Sequence, residues 1–493
     1  MRIAYIFPPP WDPRYPSYAM ALFKASTKRL GHEFFGYDLN VELFNEVCKE
    51  DKKLWGGQFA IRWLMESDRI IQKYANFIDS YIDKMLETGI NLYALHLNVF
   101  SRSTAFYIAA KVKQKNPQAG VLMGGPQCFP AYDGIKILDN KFVDAVCTGE
   151  GDLVWPEILN HFNKYNNLHL NISGIAYEKE DGTIIDNGVP ELVSDLDIIP
   201  FADYSGIDFS KYGNSYNISI MTSRGCINTC AFCSERANFY KYRYRKAENI
   251  FEEIVKHIHA FNRNLNGEGN RKRTGSFLSR LFYKRGKNPF VLKKNIIPII
   301  NFNDSLINGA PKELEKFCDM VIQSGIKFIW SGMALIRKEM TCELLEKMKK
   351  AGCFHMSWGI ESGCQRVLEL MHKRFFTMDL AKKVIKLTCE AGILQSCSVI
   401  VGFPGETRDM FFETVEFFRE YKKYFSNVGA QTMMILPNSR VGDNYDEFGI
   451  DHENVPDYLK WQAKGGNNNY EERLKRLDLL KSVLDEKIIL IDK

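Results

Sequence analysis

The sequence predicts an α/β protein: a Rossmann-like open parallel sheet followed by a partial (β/α)6 TIM-like barrel. Three observations carry this. The first ~200 residues alternate short apolar runs with helically spaced ones. From Asn217, strand runs at 217–221, 296–302, 327–333, 355–359, 396–402 and 429–436 alternate with helical runs near 247–261, 311–324, 341–351, 377–391 and 406–423. Glycines and small polar residues stand just past several strand ends, where α/β proteins place their sites. The expected organisation is a Rossmann-like domain over 1–165, a hairpin and linker over 166–212, a barrel over 213–437 and a C-terminal cap over 438–493.

Arg2–Phe7 is a buried-strand run stopped by Pro8-Pro9-Pro10. Tyr18–Leu30 has helical spacing, and Gly31 leads into the strand Glu33–Tyr37. Val41–Glu87 reads as mainly helical, with an aromatic stripe (Trp55, Phe59, Trp63, Tyr74, Phe77) of the kind that packs helices. Tyr93–Val99, Gly120–Met123 and Phe142–Cys147 are strands, with Thr104–Lys115 a helix between the first two. Leu168–Val193 reads as a β-hairpin turning at Asp181-Gly182, and Asp195–Tyr212 as a linker. Past the barrel strands come Asn301-Phe302-Asn303-Asp304-Ser305, Gly359-Ile360-Glu361-Ser362-Gly363 and Gly402-Phe403-Pro404-Gly405-Glu406-Thr407. Singly these are turns and caps, and Thr407 with Asp409 is a helix-opening pattern. Tyr470–Asp485 is an amphipathic helix with no chemistry of its own. Cys318, Cys342 and Cys389 read as core residues.

Thr222–Arg236 reads T-S-R-G-C-I-N-T-C-A-F-C-S-E-R, placing Cys226, Cys230 and Cys233 in a C-x3-C-x2-C spacing directly after a strand. Three thiolates on one loop can hold three irons of a four-iron cube, leaving the fourth iron open. The next histidine is His257, on a following helix, so no tetrahedral zinc set is completed locally. Zinc or three inert thiols are the alternatives on spacing alone.

With Phe232, this motif (C-x3-C-x-F-C) resembles the signature of radical S-adenosylmethionine (SAM) enzymes. The resemblance implies a [4Fe-4S] cluster whose open iron is chelated by SAM, which one electron cleaves to a 5′-deoxyadenosyl radical. It further places Glu361 and Ser362 near the SAM ribose and Asp304 near the methionine amino group. It also implies that Val401, Gly402 and Leu436 lie along the adenosyl moiety and that the Phe232 backbone meets adenine. The N-terminal strand order, with Ser101–Thr104, Gly124-Gly125 and Val143-Asp144-Ala145-Val146-Cys147-Thr148-Gly149-Glu150-Gly151-Asp152, resembles the cobalamin (B12)-binding domain that precedes many radical SAM barrels. Ser101, Gly124, Gly125, Gly149, Glu150 and Gly151 are then cofactor-binding candidates. The D-x-H-x-x-G loop that supplies a cobalt-ligating His elsewhere is absent: the loop reads Trp11-Asp12-Pro13-Arg14-Tyr15.

The resemblance covers about residues 1–437 and implies an enzyme that methylates an unactivated carbon. One SAM would methylate cobalamin and a second would supply the radical. An electron donor such as flavodoxin or ferredoxin is the implied partner. Radical rearrangement, cyclisation or methylthiolation is the alternative within enzymes; a redox or cobalamin sensor is the alternative outside them. Methylthiolation is weakened because Cys48, Cys128 and Cys147 are too widely spaced for a second cluster. The substrate, a small molecule or a natural-product or lipid precursor, is left open between a lipid, a peptide, an antibiotic precursor and a tetrapyrrole.

Composition sets outer limits. A 493-residue chain is too long for one compact core. Twelve scattered Cys do not form a disulfide framework, and a thiolate cluster needs a reducing compartment, so a cytoplasmic location is expected. No apolar run approaches the ~18 residues of a membrane span, and a net charge of +5 does not by itself imply a nucleic-acid partner. Much of the positive charge sits in 262–294, with ten Lys/Arg against one Glu, including Arg271-Lys272-Arg273 and Lys284-Arg285. This segment reads as a solvated insertion; Phe282, Tyr283 and Phe290, interleaved with its charges, make an anionic substrate or a membrane surface the alternative.

Overall fold

The computed structural model describes residues 1–55, 62–212, 217–266, 291–292, 295–451 and 458–490. Most of the basic insertion, including Arg271–Arg273 and Phe282–Arg285, lies outside the described residues. Two compact units divide the chain: Met1–Ser219 with Lys256–Ile296, and Ile220–Val255 with Ile297–Lys493. Among the described residues no helix is long and apolar enough to cross a membrane.

The first unit is built on strands β1 (Arg2–Phe7), β2 (Glu33–Asp38), β3 (Leu92–His96), β4 (Gly120–Gly124), β5 (Ala145–Cys147), β6 (Ile175–Glu178) and β7 (Ile184–Asp186). Their order is β2-β1-β3-β4-β5-β6-β7. The first five pair in parallel, and β6–β7 add an antiparallel margin. The predicted hairpin therefore extends this sheet. Period-two alternation splits the strands between two cores. Ala4, Ile6, Tyr93, Leu95, Val121 and Met123 face the helices Ser67–Glu87 and Arg102–Lys115. Ile3, Tyr5, Phe7, Leu92, Ala94 and Leu122 face Tyr18–Arg29 and Gly151–Tyr165. Helices on both faces make this a doubly wound sheet, whose order reverses between β1 and β3. The strand β5 is shorter than the predicted Phe142–Cys147. Asp144, just before it, donates its N–H to Val121 O at 3.0 Å, while its carboxylate accepts from Val121 N–H at 2.7 Å.

In the rest of the chain the strands are β8 (Asn217–Ile220), β9 (Ser223–Arg224), β10 (Arg243–Tyr244), β11 (Val291–Leu292), β12 (Asn295–Ile296), β13 (Ile299–Phe302), β14 (Ile329–Ala334), β15 (Cys353–Glu361), β16 (Leu394–Val401), β17 (Asn427–Thr432) and β18 (Ile488–Leu490). The main sheet runs β8-β13-β14-β15-β16-β17-β18, with every pair from β13 to β18 parallel. Consecutive right-handed crossovers in a monotonic order put all helices on one face, as in a TIM-like barrel. The seventh strand, β18, was not foreseen, because three apolar residues offer no period to read. Threonine hydroxyls open the crossover helices: Thr341, Thr377 and Thr407 accept from Leu344, Leu380 and Met410 N–H, each at 3.3 Å. Thr407 is thus a helix cap. Cys318 is buried as expected, whereas Cys342 is half-buried and Cys389 is exposed on the outer side of its helix.

The chain's end is wired into the loop that follows β16. Asn468 Nδ2 donates to the carbonyls of Gly402 and Phe403, at 2.9 and 3.3 Å. Arg473, fully buried, donates to the carbonyls of Asn468, Leu459 and Trp461 and stacks 3.9 Å over the Trp461 ring. Arg476 reaches Glu406 at 3.2 Å, and Glu406 accepts from Gly402 N–H at 2.7 Å. Burial raises the Glu406 carboxyl to about 7, with Arg476 and Gly402 N–H working against that rise. Gly402 has φ +81°, and a Cβ there would lie 2.4 Å from Arg473 Cγ and Cδ. We therefore expect Gly402→Ala to cost about 1–3 kcal/mol, read as a lower urea midpoint. Gly449 has φ +62° with nothing within 4 Å, so Gly449→Ala reports the backbone strain alone. Equal losses in the two variants would show that Arg473 does not constrain Gly402.

Candidate functional site

The cysteine loop leaves β9 through Gly225, whose φ is +77° and whose Cβ would sit 2.8 Å from the Lys241 carbonyl. Only glycine lets the loop close against that carbonyl. Ala231, in the middle of the motif, is held from two directions: its N–H donates to Met371 O at 2.9 Å, and its carbonyl accepts from Val441 N–H at 3.0 Å. Cys233 N–H donates to Cys230 O at 3.1 Å, and Glu235 N–H to Cys233 Sγ at 3.4 Å. Cys226 and Cys230 are half-buried and Cys233 is exposed; all three are free thiols.

Crowding by surrounding protein atoms raises all three thiols, Cys230 to about 11 and Cys233, although its residue reaches the surface, to about 12. Metal coordination reverses this, since a bound cation deprotonates its thiol outright. Among the described residues, no three His, Cys, Asp or Glu side chains gather round one point closely enough for a single metal ion. Zinc, at about 2.3 Å from each sulfur, would draw its ligands within about 4 Å of one another. A cube spreads its ligands over separate irons, so each thiolate faces its own metal atom. The donor chemistry and loop placement fit a cluster better than a zinc ion.

Asp304 follows β13 and is buried, at 3% exposure. Its Oδ1 accepts from Thr222 N–H at 2.8 Å and also from Ser223 N–H, fixing the strand that enters the cysteine loop. Its Oδ2 is buried with no hydrogen-bond partner. Burial raises this carboxyl to about 6, opposed by the two amides. An orphaned carboxylate oxygen beside the loop suits a cationic ligand group. Below it, a buried Arg245–Glu253 pair at 2.5 Å holds the same strand, through Arg245 Nη1 to Met221 O at 3.0 Å and Arg245 N–H to Thr222 O at 2.8 Å.

Glu361 ends β15 with φ +70°, buried, its Oε1 3.2 Å from Lys373 Nζ. Lys373 is a residue that sequence reasoning missed, lying in an ordinary helix-to-helix connection. Its ammonium lies 5.9 Å from the Phe232 ring centre, and its charge acts on Cys226 and Cys230. The structure therefore brings Phe232, Glu361 and Lys373 to the cysteine loop. Ser362 is fully buried, and its hydroxyl is engaged by Thr414 Oγ1 at 2.8 Å and Cys364 N–H at 3.1 Å. Val401 is buried at the end of β16, ahead of Gly402. The Leu436 carbonyl accepts from Ser439 N–H at 3.2 Å and Oγ at 2.7 Å, closing the turn beyond β17.

In the first unit the candidates ring the C-terminal ends of the parallel strands. Gly125 (φ +113°) allows the turn after β4 to approach Leu97 O, 2.7 Å from where a Cβ would be. Gly149 and Gly151 give room to Pro190 and Phe23, at 2.5 and 3.1 Å from their would-be Cβ atoms, so both also serve the unit's own packing. Gly124 meets only an ordinary contact, Cys147 Cβ at 3.7 Å. Ser101 and Asn98 bond reciprocally beyond β3, at 3.0 and 3.1 Å, and Glu150 accepts from Val193 N–H at 3.2 Å. A second missed residue is His96, at the end of β3 beside the reversal in strand order. Its Nδ1 lies 3.2 Å from Tyr5 OH and its ring 4.8 Å from Phe7; burial lowers it to about 4.

Residues 306–418 match the Radical SAM superfamily, a span that starts beyond the cysteine loop. An uncharacterised methyltransferase of Pyrococcus horikoshii is 27% identical over 64% of this chain and 60% of its own length. Anaerobic magnesium-protoporphyrin IX monomethyl ester cyclase of Rubrivivax gelatinosus is 23% identical over 69% of this chain and 57% of its own. The chain thus spans less than two thirds of the length of these relatives. Among solved structures, the radical SAM methyltransferase TsrM of Kitasatospora setae, with cobalamin and a [4Fe-4S] cluster bound, superposes with a TM-score of 0.67. That match has 14% identity and covers 99% of this chain and 90% of that one. OxsB, a cobalamin-dependent SAM radical enzyme, gives 0.61 with 15% identity over 98% of this chain and 62% of its own. Residues 306–418 thus carry a match to the radical SAM superfamily, and the chain shares its fold along almost its whole length with TsrM.

Proposed function

We propose that the chain is a cobalamin-dependent radical SAM methyltransferase that methylates an unactivated carbon. The observation that carries this reading is the convergence of Asp304, Lys373 and Glu361 on the three-cysteine loop. A [4Fe-4S] cluster and cobalamin, when bound, supply radical generation and methyl transfer respectively. Cys226, Cys230 and Cys233 would hold the cluster. Lys373, already close to the motif aromatic, offers an ammonium to the SAM carboxylate, and Asp304 Oδ2 an acceptor to the SAM amino group. Glu361, held in place by Lys373, would orient a ribose hydroxyl. The glycine turns after β4 and β5 leave backbone accessible to a corrin in the first unit. A flavodoxin or ferredoxin is the fitting class of electron donor. Ring closure is the second reading, favoured by the likeness to a cyclase. Methylthiolation fits less well, since Cys128 and Cys147 are buried while Cys48 is exposed.

Replacing Cys226, Cys230 or Cys233 by Ala should abolish iron–sulfur absorption and 5′-deoxyadenosine formation, whereas Cys318→Ala should at most lower stability. Full SAM cleavage by any single motif variant would end the cluster reading.

Asp304 separates two roles. Asp304→Asn keeps an acceptor for Thr222 and Ser223 and should retain iron while raising the KM for SAM about tenfold. Asp304→Ala frees both amides, at about 1–3 kcal/mol each, and should lose iron as well. Unchanged KM in the iron-replete Asn variant would remove Asp304 from SAM binding.

Reconstitution with hydroxocobalamin should give near-stoichiometric binding, and the spin resonance of the cobalt(II) form should lack axial-nitrogen splitting. Splitting that disappears in His96→Gln would identify His96 as a cobalt ligand and overturn the no-histidine expectation.

A further inference from the structure

The main sheet of the second unit has a helix-covered face and a helix-free one, and their chemistry differs. On the covered face Phe302 and Trp330 pack against Phe317 of the helix Pro311–Ser324, at 5.7 and 6.2 Å between ring centres. Gln395 spends its amide on Ile385 O and on Trp358 Nε1. Alternate residues must emerge on the other side. There the paired positions read Asn301–Ser331–His355 in one row and Ser357–Ser396–Asn427 in the next. All six are polar, and all but Ser396 are partly accessible. Met333 and Ile400 interrupt the pattern, and Ile299, Ile329 and Leu394 close its N-terminal edge.

This departs from the usual TIM-barrel interior, which layers of Val, Ile and Leu fill completely. Small hydroxyl and amide side chains leave these positions partly accessible and line the face with donors and acceptors. They also leave it uncharged. From β13 to β17 no strand contains Lys, Arg or Asp, and Glu361, at the end of β15, is the one acid. That acid is matched by Lys373. His355 is held neutral, burial lowering it to about 4. Gly359 lies on the same face, its would-be Cβ 3.0 Å from Glu361 Oε1 and 3.1 Å from Lys373 Nζ, and it pairs with Ser398. The polar rows therefore run up to the residues assigned to SAM.

We propose that the part of the substrate lodged against this helix-free face is uncharged and rich in hydroxyl or amide groups rather than an acyl chain. The proposal rests on the reading of the site as a radical SAM centre and narrows its substrate. An acyl chain that expelled water from these rows would strand several buried hydroxyls and amides, each at a cost of about 1–3 kcal/mol. A substrate bearing its own donors and acceptors meets no such penalty, and a site built this way rejects analogues that lack them. An anionic substrate finds no unpaired cation on these strands.

The test uses the full chain, reconstituted anaerobically with cluster, SAM and reductant. The probes are the aqueous-methanol and chloroform fractions of the source cells, and the readout is the ratio of 5′-deoxyadenosine formed with and without each fraction. The aqueous fraction should raise the rate at least fivefold and the chloroform fraction less than twofold. In Ser357→Leu and Ser398→Leu the ratio should fall towards one, with Ser398→Thr recovering most of it. Stimulation by the chloroform fraction, by neither fraction, or undiminished in the Leu variants would each overturn the proposal. A wild-type chain that cleaves no SAM at all would instead strike the radical SAM reading. Native mass spectrometry of the chain incubated with the same fractions then decides binding without turnover: a retained aqueous-fraction compound supports the proposal, and a retained lipid defeats it.

Discussion

The grip of the Asp304 carboxylate on two backbone amides is the constraint from which the site is built. A metal-binding loop of a dozen residues has little structure of its own and must be fixed at its root. Thr222 and Ser223 form that root, and both donate to one oxygen of a carboxylate carried by the neighbouring strand. Charge-assisted bonds of this kind are stronger than neutral ones, and more so when buried. The Arg245–Glu253 pair repeats the device one layer down. The loop's far side is pinned by main-chain bonds to Met371 and Val441. Its cysteines are therefore carried by a short loop tied at both ends to the sheet and its connections.

Local signals made much of this legible. Strand and helix alternation read correctly because parallel strands buried on both faces are continuous apolar runs, such as Arg2–Phe7, while crossover helices are amphipathic. The cysteine spacing and the glycines past the strand ends are contiguous in sequence, so they too could be read. What escaped depends on distance. Lys373 lies twelve residues beyond Glu361, in a connection with no pattern, and matters only because the chain folds it back. His96 looks like the last residue of a buried strand until β1 is set beside β3. The short β18 is a strand only because β17 offers it an edge. Chemistry that arises from juxtaposition leaves no spacing to find.

The two units use parallel strands in opposite ways. In the first, both faces of the sheet are covered and side chains fill them, so ligand chemistry is confined to strand ends and to glycines that let backbone come close. In the second, helices take one face, and the other can be lined along its length. The first arrangement suits a large, rigid group met mainly by main chain. The second suits a reactant that must be held by many small side chains while one of its atoms is exposed to attack.

The wiring of Asn468, Arg473 and Arg476 onto the loop after β16 also bears on how the protein is made. Synthesis runs from the amino terminus, and early domains generally fold as they emerge. The strands of the first sheet all lie within residues 2–186. The turn at Gly402, by contrast, receives its supporting side chains from Asn468, 66 positions further along, and through Glu406 from Arg476, while β17 gains its outer neighbour later still. A nascent chain would display its three thiols long before that turn is braced. Iron delivered early would meet a half-built pocket, so cluster insertion belongs after the bracing segment has been made and has folded back.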